Sequence, residues 1–220
     1  MVGKVKSPDN APRAPRSYDA SRRRQLAEDT RRTVLARARE LFLARGFGAT
    51  TIAAIALAAG VSPEFIYKNF GSKPGLVRAI YEQSLLGSGG EPAEQRSDLA
   101  QATADDPRAL MEQFGRFTAE IGPLGSPIIL LIRDAAASGD ADMAELLRDV
   151  DDARYRRMLH NAGQMISRAL LRPGLGAAEA ADIMFTCTTA ELFESLVIKR
   201  GWTHEKYGGF VAKTLAANLL

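Results

Sequence analysis

The stretch TTIAAIALAAGVSPEFIYKNFGSK, residues 50–73, constrains this chain more than any other. Two short runs with helical spacing flank the corner Gly60-Val61-Ser62-Pro63. In the first run Ile52, Ile55 and Ala56 fall on one face. Thr50 or Thr51 can cap it, because a threonine hydroxyl accepts a free backbone N–H. Ala58 and Ala59 are small enough to let another helix approach. Gly60 can take the left-handed conformation that a sharp corner needs, and the apolar Val61 plugs that corner. Ser62 caps the second run, over about 63–69, with Pro63 at its first position, where the missing N–H costs nothing. Ile66 and Phe70 point inward and Gly71 ends the run. Two short helices joined by a three-residue turn make a helix-turn-helix. Helices this short do not hold alone, so neighbours must brace them.

The flanks supply the braces. Val34, Ala38, Leu41 and Phe42 repeat at spacings of three and four, predicting a helix over about 26–45. Gly46 stops it and Phe47 folds back. Ser72 caps a further helix carrying Leu76, Val77, Ile80 and Leu85. The prolines at 8, 12 and 15, among polar and basic residues, predict a disordered arm over residues 1–21. A domain over 22–86 and a linker over 87–106 follow, the loop from Gly87 to Glu94 being rich in Gly, Ser, Pro and Glu. Beyond it, helical spacing recurs at about 107–121, 127–138, 141–171, 177–200 and 203–219, with Pro173 and Gly174 ending the third and Thr203 capping the last. No run alternates like a strand. The expected fold is all-α: a three-helix helix-turn-helix domain, then a helical domain over 107–220.

Charge separates the two parts. Residues 1–80 carry 15 Lys or Arg against 6 Asp or Glu, net +9, and residues 81–220 carry 14 against 20, net −6. A basic end on an acidic remainder implies a polyanionic partner at one end only. No apolar run approaches the roughly 18–20 residues that span a bilayer, and the basic N-terminus lacks an apolar leader. These point to a cytoplasmic protein without a membrane partner. The single cysteine, Cys187, excludes an intrachain disulfide and reads as a small buried hydrophobe.

The motif also resembles a family. Thr50-Thr51-Ile52, Ile55-Ala56, Ala59-Gly60-Val61-Ser62, Ile66-Tyr67-Lys68-Asn69-Phe70 and Ser72-Lys73 occur in the order and spacing of the TetR (tetracycline repressor) family of bacterial regulators. The likeness reaches back through Ala38, Leu41, Phe42 and Gly46-Phe47, and forward to Leu76. It implies that Thr51, Tyr67 and Lys73 contact phosphates, for which hydroxyls and an ammonium suit. It implies that Ser62, Pro63, Glu64, Phe65 and Lys68 face base edges or groove walls. Lys68 can donate to guanine and Glu64 accept from cytosine. Two positions depart from the usual pattern: Phe65, where a small residue is common, and Asn69, where His or Tyr is common. Phe65 either touches a thymine methyl or packs inside. Asn69 can still donate to a phosphate or read adenine. Arg22, Arg23, Arg24 and the arm either add contacts or only solubilise.

The resemblance further implies a homodimer on a palindromic double-stranded operator, most often a repressor released by a small molecule. Ile183, Met184, Leu192, Leu196, Phe210, Val211 and Leu215 on the last helices are the expected dimer interface. Phe114, Phe117, Ile121, Met143, Leu147, Met158 and Met165 are the expected effector pocket, with Arg133, Arg154, Tyr155, Asn161 and Gln164 as sources of polar groups. The other classes find little support. There is no Ser-His-Asp order, no nucleotide loop, and no metal spacing around His160 or His204, so neither catalytic residues nor a cofactor or metal is expected. A nonspecific nucleic-acid or membrane-surface protein using its basic end is the alternative. It would bind by charge and salt, without regard to sequence.

Overall fold

A computed structural model describes residues 17–87 and 91–220, and among these every regular element is a helix. α1 (Ser17–Ala49) starts earlier than expected, so residues 17–21 are helical rather than part of a disordered arm. Residues 1–16 lie outside the described residues. Gly46, at φ 79°, bends the chain out of α1, and Phe47 stacks on Phe42 at 5.9 Å. α2 (Ile52–Ala59), α3 (Pro63–Phe70) and α4 (Lys73–Ser84) follow. Thr51, Ser62 and Ser72 cap them, each accepting from the N–H three residues on. Thr50 is buried instead and donates to the Gly46 carbonyl at 2.8 Å, tying the end of α1 to the corner.

The remaining helices are α5 (Ala93–Thr103), α6 (Pro107–Ala137), α7 (Ala141–Ser167), α8 (Ala177–Cys187), α9 (Ala190–Phe193, running into a π-helical turn Glu194–Ile198) and α10 (His204–Leu219). Three expectations are corrected. The linker 87–106 contains α5, held because Ser97, Ala100 and Gln101 are buried. The segments 107–121 and 127–138 are one helix, with Pro123 and Pro127 inside it. Each proline removes an i→i−4 donor, and Arg39 of α1 compensates, donating to the carbonyls of Pro123 at 3.2 Å and Leu124 at 2.6 Å. The segment 177–200 is broken after Cys187, where Thr189 caps a new start.

One apolar core runs from Val34, Phe42, Ile55 and Ile66 through Leu76 and Ile80 into Ile128, Ile132, Met143 and Val150. It therefore crosses the boundary expected at residue 86 and seats α1 and α4 on α6 and α7. A second core holds Leu110, Phe114, Met165, Met184, Tyr207 and Leu215. There α6 and α10 meet glycine to glycine: a Cβ on Gly115 would lie 2.4 Å from the Gly208 carbonyl oxygen.

Candidate functional site

The first candidate surface is α3. Its start is fixed by Ser62, whose hydroxyl accepts from the Phe65 N–H at 3.2 Å, and by Pro63 in the first turn. Its position is fixed by Gly60, at φ 68° and ψ 30°, and by Ile66, buried in the core. One side of the helix is thereby committed inward. Pro63, Glu64, Tyr67, Lys68 and Asn69 remain exposed, Tyr67 at 53%. Thr51, at the start of α2, is exposed as well. Phe65 is half-buried and packs against the core, so most of its ring faces inward.

Three of these side chains have local engagements. Glu64's own backbone N–H, and then the Ser62 hydroxyl, hold the Glu64 carboxyl below the usual carboxylate range. Asn69 donates to the Phe65 carbonyl at 2.7 Å, which leaves its oxygen and second N–H outward. Lys73 lies 4.0 Å over the Phe47 ring, and desolvation there lowers its pKa while Asp140 opposes the shift. Arg31 of α1 sits 4.7 Å over the Phe70 ring at the end of α3, bringing a further cation to the surface. Nothing in the spacing of Arg31 and Phe70 signals that contact.

The second candidate is a cavity of about 230 Å³ between α4, α5, α6, α7, α8 and α10. Of the expected pocket residues, Phe114, Phe117, Ile121 and Met158 line it. Met143 and Met165 do not, being fully buried in the two cores, and Leu147 packs on the first core. Tyr81 and Leu85 of α4 line it unannounced, because their spacing reads only as core. Burial pushes the hydroxyls of Tyr81 and Tyr207 up to about 12, so both stay neutral. Among the polar candidates, Arg154 and Asn161 reach the wall. Arg133 instead bonds Glu191 and Glu194, and Tyr155 bonds Asp182. A wider depression of about 310 Å³ beside Leu220 lies open between Asp106 and Arg172; it lacks the deep apolar lining expected of a ligand site.

Residues 34–80 match the model of bacterial regulatory proteins of the tetR family. The likeness to that family is thus established for residues 34–80. No curated protein matches it. Solved structures share its fold. NalD of Pseudomonas aeruginosa, described as the secondary repressor of the MexAB-OprM multidrug efflux pump, is 20% identical with TM-score 0.68, covering 88% of this chain and 97% of that one. A protein of Saccharomonospora viridis in complex with choline is 19% identical with TM-score 0.62, covering 87% and 98%. The regulator FadR of Bacillus subtilis in complex with stearoyl-CoA is 13% identical with TM-score 0.64, covering 83% and 96%.

The residues expected at a dimer interface divide in this chain. Val211 and Leu215 are buried in the protomer's own core, and Met184 and Leu215 line its cavity. Ile183, Leu192 and Leu196 are half-buried against the same core, and Phe210 is 38% exposed. Helical spacing reveals that such residues are apolar, but not which of two apolar neighbours they face. Among the described residues no helix is long and apolar enough to cross a membrane, and no group of three metal-ligating side chains forms.

Proposed function

We propose that this protein is a repressor that binds a palindromic operator as a homodimer and is released by a small molecule seated in the 230 Å³ cavity. One observation carries the reading: Tyr81 and Leu85, at the end of α4 distant from α3, border that cavity. The other end of α4 begins at Lys73, directly after the α3 turn. A ligand touching Tyr81 therefore touches the helix that carries the reading head. It shifts the equilibrium only as far as it prefers the released arrangement.

In this reading Ser62, Pro63, Glu64 and Lys68 lie in the major groove, while Thr51, Tyr67, Asn69 and Lys73 grip phosphates. Phe65 props the helix from behind. The remainder of the interface face, the half-buried Ile183, Leu192 and Leu196 with the exposed Phe210, meets a second protomer, because one short helix alone binds weakly. The fold neighbours described as a repressor and as ligand complexes support the same reading. Selection of bound fragments from genomic DNA, followed by footprinting, tests it. A two-fold footprint with half-sites about 34–36 Å apart is expected. Binding that follows salt but no sequence would instead establish a nonspecific polyanion binder.

A further inference from the structure

The cavity wall specifies the chemistry of what it holds, an inference that rests on the regulator reading above. Two arginines stand in the wall, and both are already paired. Arg154 donates to Asp151 at 3.0 Å and to the Thr188 carbonyl at 2.8 Å. Arg157 donates to Asp98 at 2.6 Å and to the Glu94 carbonyl at 3.0 Å. Their side chains are only 14% and 16% exposed. The charge of each guanidinium is thus already balanced by a carboxylate, and an anionic ligand would compete with Asp151 or Asp98 for it. A cationic ligand finds no free carboxylate inside: Asp98 holds both Arg157 and His160. Glu94, the acidic residue among the described residues of the lining, is exposed to solvent. A charge brought into this space loses water and finds no counter-charge that is not already committed, which is costly.

An uncharged donor is set toward the cavity by a pair of buried amides. Gln101 is 2% exposed and its Nε2 donates to the Ser97 carbonyl at 3.3 Å. A carbonyl only accepts, so this contact fixes which way the Gln101 amide faces. The same Nε2 then meets Asn161 at 3.0 Å, and Asn161 must present its Oδ1 there. The Asn161 Nδ2 is turned away from Gln101, in a residue that lines the cavity and is 3% exposed. It is a donor with no protein acceptor facing it. We propose that the ligand is an uncharged, mostly apolar molecule whose oxygen accepts from the Asn161 Nδ2, with its hydrocarbon against Phe114, Phe117, Ile121 and Ile129.

The test is calorimetric titration of the full-length protein at pH 7 with 2-nonanone, nonanoate and nonylammonium, three probes of similar length and different charge. The ketone is expected to bind at least about tenfold tighter than either ion. An ion that binds as tightly as the ketone, or a ketone that gives no binding, overturns the proposal. Asn161→Leu, checked for an intact melt, is expected to weaken the ketone about threefold to tenfold and leave nonanoate unchanged. Unchanged ketone affinity in a folded variant overturns the role of Asn161, and if the variant does not fold, the probe series alone decides. Operator release is measured in parallel. A ketone that binds without releasing DNA refutes the repressor reading alone. Nonanoate that binds best and does release DNA refutes the ligand class alone.

Discussion

Arg39→Ala is the substitution whose consequence can be followed furthest. The Pro123 carbonyl lies four residues before Pro127, which has no N–H to give it. Arg39 supplies the missing donor at 3.2 Å and bonds the next carbonyl, Leu124, at 2.6 Å. A hydrogen bond from a charged donor is worth about 1.5–3 kcal/mol when buried. The Leu124 contact is exposed and the Pro123 contact part-buried, and burial already lowers the guanidinium pKa. Discounting for solvent leaves about 1–2 kcal/mol for the pair. For a chain of this size that is about 2–8 °C in melting temperature. Thermal unfolding followed by circular dichroism, at one fixed protein concentration, reads it directly. Arg39→Lys keeps one donor head without the fork and should recover about half of the loss. If Arg39→Ala melted within about 1 °C of the parent, water would be serving the Pro123 carbonyl as well as the guanidinium does, and the bridge between α1 and α6 would contribute nothing.

Tyr67→Ala should weaken binding to every duplex by a similar factor, while Lys68→Ala should also change which sequences are preferred; competition binding with a panel of operators separates them. Equal sequence preference in both variants would refute the placement of α3. Gly60→Ala should lower stability by about 1–2 kcal/mol in thermal melts through backbone strain alone, because φ is 68° and nothing lies within 4 Å of the added Cβ. The neutral phenols of Tyr81 and Tyr207 stabilise the fold, since burial raises both to about 12 against about 10 unfolded. Their contribution is complete below about pH 10 and fades toward pH 12, so Tyr81→Phe should flatten alkaline unfolding measured across that window. Native Cys187, whose thiol burial pushes upward, should react with a thiol reagent only when denaturant is present; rapid labelling of the folded protein would refute its placement.

The helix-turn-helix was legible because every decision in it is local. Thr51, Ser62 and Ser72 cap within three residues, Gly60 and Gly71 turn within one, and Ile52, Ile55 and Ile66 repeat at helical spacing. The second half was not, because its decisions are made at a distance. Pro123 and Pro127 read as a helix break, and only Arg39, some 84 residues earlier, restores the donor. Met143, Met165 and Met184 are alike as residues, yet the first two only fill cores while the third belongs to a core and lines the cavity as well. Leu215 reads equally as an interface residue and as cavity wall. Apolar character is written in the residue itself; what it faces depends on how six helices are stacked.

The two departures in α3 follow the same logic. At the position of Phe65 a large ring is tolerated because it leans on the core instead of the groove. Its carbonyl in turn holds the Asn69 amide at 2.7 Å, so the two unusual residues form one local arrangement. Asn69 is shorter than the His or Tyr common at its position, and one of its N–H groups is already spent on the helix. In the proposed docking its reach toward a phosphate is therefore reduced, which leaves Tyr67, exposed two positions earlier, and Arg31, above Phe70, as the candidates for the grip at that end of α3. In that docking Arg31 adds a cation from α1, the same helix that Arg39 fastens to α6.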